Sequence, residues 1–416
     1  MQTPAAPNNA HRGTQMSLFT PMLEAYRSGE VVSNDALYRR LRDTGAIPEE
    51  DERRAVGRDG VVYSTTKRRV RWWQQTLKSL GLIERVPGDR GLWRATSKAR
   101  PDGDLTPAVA PVRLLGYSTT LGLALWGDSF DVLGRLGEPI HLYLSSPPYC
   151  ISRPRAYGGP QESEYVDFIC RMLEPVVANL ARGGSIALNV SNDVFQKGSP
   201  ARSLYRERLV LALHDRLGLQ KMDELIWADN SKAPGPIQWA SKQRMQLNTG
   251  WEPVYWFALH PHLVRADNRR VLQPHTERHL RLLQRGGERR TGSFGDGANR
   301  LQHGSFGNPT PGRIPKNVLH FGHRCHSQKE ARQQAIAEGL PVHGATMPLA
   351  LARFLVEFLT QKDDLVVDGC AGWNTTGLAA EETGRRWISV ERMLEYVVGS
   401  ARRFTSAPGF EPGAAL

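Results

Sequence analysis

The stretch that decides the fold is IHLYLSSPPY, residues 140–149. Its first five residues predict a buried strand, and Ser145 begins an extended turn. The two prolines carry no N–H and restrict the residue before them, so carbonyl oxygens of the turn stay free to accept hydrogen bonds. An exocyclic amine of a base offers two N–H donors to such acceptors, and Tyr149 offers a flat face for an extruded base. Taken alone, a string this short is also compatible with an ordinary loop.

A second informative stretch lies far downstream, in residues 363–391. The apolar run 365–367 ends at Asp368, a glycine turn follows, and Thr375 opens a predicted helix. The next strand ends at Glu391. A tight glycine turn lets a ligand approach the backbone and a helix N-terminus, and an acidic residue about 20 positions later can bind ribose hydroxyls. The pattern predicts a nucleoside-cofactor site, with a plain strand-to-helix connection as the alternative.

Between and around these motifs, short apolar runs alternate with helical stretches, which favours an α/β domain with a mostly parallel sheet. The predicted strands are Ile140–Leu144, Ser185–Val190, Glu224–Trp227, Pro253–Ala258, Leu365–Val367 and Trp387–Val390.

In this order the motifs resemble the beta-type amino-group DNA methyltransferases, in which the catalytic motif precedes the cofactor motif. That family's catalytic motif is Asp, Asn or Ser, then Pro-Pro and an aromatic residue, as in Ser146-Pro147-Pro148-Tyr149. The resemblance covers nearly all of residues 114–404. It extends to Gly127-Asp128-Ser129, to residues 164–192, to Trp251-Glu252-Pro253 and to His343–Pro348.

The resemblance implies a Rossmann-like sheet that binds S-adenosyl-L-methionine. It implies that Ser146 and the carbonyl of Pro147 accept hydrogen bonds from the target amine, that Pro148 stiffens the turn, and that Tyr149 stacks on the flipped base. It also implies that Glu391 holds the ribose. The cofactor-binding residues implied in this way are Asp368, Cys370, Gly372, Asn374, Thr375, Glu391 and Thr346.

One motif departs from the family pattern, which normally reads Asp-Pro-Phe-x-Gly-x-Gly. Here Cys370 stands where an aromatic residue usually packs on the methionine part, and Asn374 stands for the last glycine. Asn tolerates positive φ better than most residues, so we expect the turn to survive. A catalytically degenerate DNA-binding regulator with this fold is the alternative to an active enzyme.

The resemblance favours cytosine N4 as the target, because Ser before Pro-Pro is more typical of N4 enzymes and Asp of adenine-N6 enzymes. Adenine N6 stays open, as does methylation of RNA or of a protein glutamine. Methylation at cytosine C5 would need a nucleophilic cysteine after a proline. Cys150 follows Tyr149, so we interpret it as a small residue at the edge of the core.

Residues 17–98 predict a small α+β module that resembles a winged helix. Within TTKRRVRWWQQTLKSL, apolar residues recur at helical spacing while basic residues lie on the other faces. Two short strands flank the turn at residues 87–91, which would be the wing. We predict DNA contacts from Arg68, Arg69, Arg71 and Arg90, and a solvated spacer or dimerisation module is the alternative.

The remaining boundaries are set by composition. Residues 1–16 and 406–416 are predicted tails, residues 99–113 a linker, and residues 114–405 the methyltransferase domain. Residues 261–317 are rich in glycine and arginine and poor in apolar residues. They predict an irregular basic insert that recognises the DNA target, with Arg289 and Arg290 as contacts, or else a disordered surface insertion.

Bulk properties agree with a DNA partner. The formal net charge is +12, and a basic, arginine-rich chain suits a polyanion such as double-stranded DNA. The four cysteines form no CxxC pair, the His residues near Cys325 match no standard metal-ligand set, and no apolar run of membrane length occurs. We expect a metal-free cytoplasmic enzyme of bacterial or phage type, for which a restriction endonuclease is a conceivable functional partner.

Overall fold

The computed structural model describes two folded regions of the chain. The described residues are 18–26, 30–48, 54–56, 62–88, 91–96, 105–151, 155, 157–229, 232–295, 297–322, 325–344 and 346–415. In the first region the elements are α1 (Phe19–Tyr26), β1 (Val32–Ser33), α2 (Asn34–Asp43), β2 (Arg54–Val56), β3 (Val62–Ser64), α3 (Thr65–Ser79), β4 (Ile83–Arg85) and β5 (Leu92–Ala95).

The basic helix α3 begins and packs as its sequence requires. The Ser64 side chain accepts a 2.9 Å hydrogen bond from the Lys67 N–H, which caps the helix. Val70, Trp73 and Leu77 are buried on one face. Strands β4 and β5 pair in antiparallel fashion and β1 joins β5, giving the order β1-β5-β4. The predicted helix followed by strand, turn and strand is therefore present.

The second region carries the predicted motifs. Its first elements are β6 (Arg113–Ser118), β7 (Gly122–Gly127), α4 (Ser129–Leu133), β8 (Ile140–Ser145), α5 (Glu162–Ala178), β9 (Leu180–Asn189), α6 (Tyr205–Leu217), β10 (Gln220–Ala228) and β11 (Trp251–Ala258). The remaining elements are α7 (Glu277–Gln284), β12 (Gly292–Phe294), β13 (Asn299–Leu301), β14 (Val318–His320), α8 (His326–Ala337), α9 (Leu349–Leu359), β15 (Leu365–Asp368), α10 (Thr375–Glu382), β16 (Arg386–Glu391), α11 (Leu394–Ala401) and β17 (Glu411–Pro412).

Ten strands form one sheet in the order β14-β10-β11-β9-β8-β15-β16-β7-β6-β17. The five central strands, β9 to β7, are mutually parallel. The outer strands include antiparallel pairs, β9 with β11, β11 with β10, β7 with β6, and β6 with β17. Each of the six predicted strands is present, and the parallel prediction holds for the centre of the sheet.

The predicted linker and C-terminal tail differ from the structure. Ala108 is fully buried, and its N–H donates a 2.7 Å hydrogen bond to the Arg392 carbonyl. At the other end, β17 pairs with β6, and Ala415 is buried. Both segments join the core of the second region through backbone hydrogen bonds. Such bonds depend little on side-chain type, so no periodic apolar pattern in the sequence predicts them.

The predicted irregular insert is more ordered than its composition suggests. It contains α7 and the antiparallel hairpin of β12 with β13. Its first part packs on α9, where the Arg270 side chain donates hydrogen bonds to the carbonyls of Glu357 and Phe358 at 2.7 and 2.9 Å. Arginine contacts with backbone carbonyls, together with burial of Val271, hold this part in place.

Across the part of the chain that the structure describes, no helix combines the length and apolar character needed to cross a bilayer.

Candidate active site

The two chemical motifs meet because their strands are neighbours. Strand β8 pairs in parallel with β15, so the carboxyl ends of both strands lie at the same edge of the sheet. From β8 the chain crosses through α5 to β9 on one side, and from β15 it crosses through α10 to β16 on the other. Ligands of open α/β sheets bind at such a switch point. A cleft of about 770 Å³ lies there, lined by residues of both motifs.

A direct hydrogen bond joins the two strand ends. The Ser145 hydroxyl donates to Asp368 Oδ1 at 2.7 Å, and the Cys370 N–H donates to the same oxygen at 2.9 Å. Asp368 is only 4% exposed, and burial raises the pKa of its carboxyl above the usual value. Its carboxylate therefore organises the turn that follows it.

The catalytic motif ends in a network of hydrogen bonds behind the cleft. The Ser146 hydroxyl lies 3.0 Å from the Tyr149 hydroxyl. The Tyr149 hydroxyl lies 3.0 Å from Asn189 Oδ1 and 3.1 Å from Glu252 Oε2. The Asn189 amide nitrogen donates to the Pro253 carbonyl at 3.2 Å, so its oxygen must face the two hydroxyls. Both hydroxyls thus have acceptors for their own protons, which leaves the Ser146 lone pairs available to a substrate donor.

An ion pair completes this network. Lys232 Nζ lies 2.8 Å from Glu252 Oε1. Burial, and next the charge of Glu252, raise the pKa of Tyr149 well above its usual value, so the phenol stays a hydrogen-bond donor at neutral pH. Asn189 and Glu252 lie in segments that the family resemblance includes, but no role was predicted for them or for Lys232. The three residues come from β9, β11 and the segment after β10, so their meeting is not visible in the sequence.

On the other side of the cleft, the glycine turn is tied to the end of β16. The N–H groups of Gly372 and Met393 donate to the two oxygens of Glu391 at 2.6 and 2.7 Å. Gly372 has φ +52°, and a Cβ there would lie 2.9 Å from His343 Nε2. The backbone conformation favours glycine, and the close approach of His343 leaves little room for a side chain. Desolvation raises the pKa of Glu391 to about 7 although these N–H groups oppose the shift.

Asn374 corrects part of the predicted cofactor set. It adopts the left-handed conformation with φ +52°, as expected for a residue that replaces glycine. Its side chain, however, does not line the cleft and is 1% exposed. It accepts from the Gly377 N–H and the Ser389 hydroxyl at 3.0 and 2.6 Å and donates to the Tyr117 hydroxyl at 2.8 Å. Asn374 therefore caps α10 and holds the turn from inside the core.

The other predicted residues of both motifs line the cleft. These residues are Ser146, Pro147, Pro148, Tyr149, Thr346, Asp368, Cys370, Gly372, Thr375 and Glu391. Cys370 Sγ lies 3.8 Å from the sulfur of Met172, so Cys370 and Met172 provide a soft apolar wall. The Thr375 hydroxyl accepts from Arg403 at 3.0 Å, which fixes the first turn of α10.

Aromatic side chains form a wall that the sequence analysis did not identify. The rings of Tyr157 and His343 stack at a centroid distance of 5.4 Å with an interplanar angle of 10°. Burial lowers the pKa of His343 to about 4, helped by the nearby charge of Arg155, so the imidazole is neutral at physiological pH. Phe130, Trp373 and Tyr396 also line the cleft.

The predicted DNA-contacting arginines that the structure describes do not line the cleft. Arg68 and Arg71 are exposed on α3, and Arg68 lies over the Tyr63 ring at 4.8 Å. Arg69 is partly buried, and Arg289 and Arg290 are exposed before β12. None of these five is among the residues that line the cleft. Arg90 falls outside the described residues.

Comparison with known proteins agrees with this geometry. Residues 140–402 match the DNA methylase family of N6 and N4 methyltransferases, and residues 16–101 match the Mrr N-terminal domain. The Type II methyltransferase M.PvuII of Proteus hauseri is 33% identical over 293 residues, which cover 69% of this chain and 85% of that protein. The Type II methyltransferase M1.MboII of Moraxella bovis is 23% identical over 276 residues, which cover 65% of this chain and 91% of that protein.

A solved structure shows the same fold. The PvuII DNA methyltransferase, described as cytosine-N4-specific, superposes with a TM-score of 0.56 at 30% identity, over 71% of this chain and 90% of that one. The similarity covers the methyltransferase region and leaves the N-terminal region to the separate Mrr match.

The cleft fits S-adenosyl-L-methionine, the methyl donor of these enzymes. Asp368 and Glu391 place two carboxyl groups on its wall, and neither takes part in an ion pair among the described residues. Such a wall suits a sulfonium cation and ribose hydroxyls. Within the described residues no group of three or more His, Cys, Asp or Glu side chains is arranged to hold a metal ion.

The raised pKa of Glu391, about 7, predicts that S-adenosylmethionine binds more tightly as pH rises from 6 to 8. Ribose hydroxyls donate to the ionised carboxylate, so binding must first remove a proton wherever the free protein holds one. The affinity for S-adenosylmethionine should then rise by up to about tenfold per pH unit while the pH is below the pKa of Glu391. Calorimetric titration at several pH values measures this dependence.

The matched control is Glu391→Gln, which keeps the size of the side chain but cannot ionise. Any pH dependence that remains in this variant comes from the cofactor's own amine or from other residues. Equal slopes in the two proteins would contradict the assignment of Glu391.

Proposed function

Since the chain belongs to the DNA methylase family of N6 and N4 methyltransferases, we propose that it methylates the N4 amine of cytosine in double-stranded DNA. The observation that carries the proposal is the position of the Ser146-Pro147-Pro148-Tyr149 turn. This turn lines the same cleft as Asp368 and Glu391. This shared lining supports an acceptor site for an amine beside a site for the methyl donor.

Two observations favour N4 of cytosine over N6 of adenine. The residue before Pro-Pro is Ser146, and the similar PvuII enzyme is described as cytosine-N4-specific. Adenine N6 is the second candidate, because the family includes both amines. The designation of the relatives as Type II methyltransferases supports a role in restriction and modification. A separate endonuclease of the same specificity would then be a functional partner.

The residues of the catalytic turn perform the chemistry by positioning. The Ser146 hydroxyl and the Pro147 carbonyl accept the two amine hydrogens, which directs the nitrogen lone pair toward the methyl group. S-adenosylmethionine supplies that methyl group, and the C–S bond breaks as the N–C bond forms. Tyr149, fixed by its hydroxyl contacts, offers its ring face to the extruded base. No covalent intermediate with the protein is required.

The structure of the altered glycine turn favours an active enzyme over a degenerate regulator. Asn374 supplies the positive φ and three buried hydrogen bonds. The Gly372 N–H and Glu391 remain in contact. The substitution therefore preserves the turn that a nucleoside cofactor needs.

Incubation with duplex DNA and labelled S-adenosylmethionine, followed by nucleoside mass spectrometry, tests the function. We expect N4-methylcytosine from the wild-type protein. Ser146→Ala should lower methyl transfer by about 10²-fold, since a donor or acceptor aimed at the reacting group contributes that much. Binding of S-adenosylmethionine should be unchanged in this variant. Detection of N6-methyladenine would show that the target base is adenine. Absence of any methylated base would favour the degenerate regulator.

We further propose that the N-terminal module, residues 17–98, and the insert contact the DNA backbone. Arg68 and Arg71 are exposed on one basic helix, and Arg289 and Arg290 are exposed in the insert. Arg69 and Arg90 belong to this proposal on the basis of the sequence alone. Exposed arginines suit phosphate contacts, which orient a protein on the duplex without reading its sequence.

Replacing both Arg68 and Arg71 by Ala should weaken DNA binding and reduce its salt dependence by about one unit of log–log slope per lost phosphate contact. Fluorescence anisotropy at several salt concentrations measures both quantities. Arg208→Ala, at an exposed position on α6, serves as the control. An unchanged slope in the double variant would make the module a spacer rather than a DNA contact.

A further inference from the structure

We propose that Glu252 accepts the proton that the target amine loses, through a relay formed by Ser146 and Tyr149. The proposal rests on the proposed methyl transfer. Methylation leaves the amine nitrogen with a positive charge and one hydrogen too many. This proton needs an acceptor and a path out of the cleft.

The distances define such a path. Ser146 Oγ, which lines the cleft, lies 3.0 Å from Tyr149 Oη, and Tyr149 Oη lies 3.1 Å from Glu252 Oε2. Both are hydrogen-bond distances between oxygens. Glu252 itself is not among the residues that line the cleft. The path therefore leads from the substrate side of Tyr149 to the carboxylate behind it.

The proton balance of the step is simple. The amine nitrogen transfers a proton to Ser146 Oγ while the Ser146 proton moves to Tyr149 Oη and the Tyr149 proton moves to Glu252. The amine regains its neutral lone pair, both hydroxyls regain one proton each, and Glu252 becomes a neutral carboxylic acid. No oxidant, metal or further reactant is needed.

Two features single out Glu252 as the end of the path. The other neighbour of the hydroxyls is the oxygen of Asn189, and an amide oxygen is far too weak a base to hold the proton. Glu252 also pairs with Lys232, whose side chain is 27% exposed. The side chain of Glu252 is itself 15% exposed, so the pair lies near solvent, to which the proton can pass.

The test compares Glu252→Asp with Glu252→Gln in single-turnover methylation of the DNA that the wild-type protein modifies. Gln matches Glu in size and still accepts a hydrogen bond from Tyr149, but it cannot take a proton. Asp is shorter but keeps the carboxylate. We expect Gln to lower the rate by about 10²-fold, within the range of general base catalysis, and Asp to retain more activity than Gln.

If Glu252 had a purely structural role, Glu252→Gln would be close to wild type and more active than Glu252→Asp. That result would overturn the proposal. Tyr149→Phe should not add to the loss in Glu252→Gln, because either change interrupts the same path. The control is Glu224→Gln, which removes a similar acid–lysine pair on β10, with Lys221 2.9 Å away, and should leave the rate unchanged. Failure of the wild-type protein to methylate would instead refute the proposed function.

A different observation supports a second inference, about the segment between β10 and β11. The described part of this segment, residues 232–250, exposes large apolar side chains at its tip, namely Ile237 at 63%, Met245 at 56% and Leu247 at 87%. Its three charged residues, Lys232, Lys242 and Arg244, are all cationic. Exposed apolar side chains indicate a binding surface, and a segment whose charges are all positive suits a polyanion. DNA is a partner of this kind, because apolar side chains can insert between its stacked bases.

Hydrogen bonds anchor this segment both near its tip and at its base. The Met245 N–H donates to the Trp239 carbonyl at 2.9 Å, directly after Arg244 turns the chain with φ +59°. At the base of the segment, the Thr249 hydroxyl lies 3.2 Å from Asp193 Oδ1. Asp193 follows the strand that ends in Asn189 of the network. We infer that Leu247 enters the DNA stack and supports the duplex while the target base is extruded.

The test uses the target cytosine either paired with guanine or mismatched with adenine. A mismatch lowers the energy needed to extrude the base. Leu247→Ala should therefore lose methylation rate on the paired duplex and recover most of it on the mismatched one. Leu211→Ala, at a 60% exposed leucine on α6, should match wild type on both. An equal loss on both duplexes, or no loss on the paired one, would overturn the inference.

Discussion

The hydrogen bond from the Ser145 hydroxyl to Asp368 joins the ends of β8 and β15 at 2.7 Å, and the geometry of the cleft depends on it. One partner immediately precedes the catalytic turn, and the other begins the glycine turn. Because the strands are parallel neighbours, their carboxyl ends cannot separate without breaking the sheet. The proposed amine site and the proposed methyl-donor site are thereby held at a fixed spacing, which is the main requirement of an in-line transfer.

The two sides of the cleft use polar groups differently. On the donor side, backbone N–H groups hold Glu391, and burial keeps its proton affinity high. On the amine side, side-chain hydroxyls face an amide and a carboxylate. The first arrangement favours binding of a hydroxyl-rich cation, and the second favours directional acceptance of an amine and removal of its proton.

Several predictions from the sequence were incomplete for a common reason. The outer strands β6, β14 and β17 and the packing of residues 105–112 rest on backbone pairing with distant segments, which leaves little periodic signal in the chain. Asn374 was correctly expected to keep the turn, yet its side chain faces the core. Sequence position alone does not tell which way a capping side chain points.

The sequence by itself determined the chemistry at the ends of the central strands. Proline stiffness, glycine turns and buried apolar runs are local properties, so the order of residues along the chain suffices to locate Ser146, Tyr149, Asp368 and Glu391. Only the tertiary structure decided which distant groups stand behind them. Glu252 reaches Tyr149 because β11 pairs with β9, and Lys232 reaches Glu252 because β10 pairs with β11, both in antiparallel fashion. That register is fixed by packing across the sheet, and no short motif encodes it.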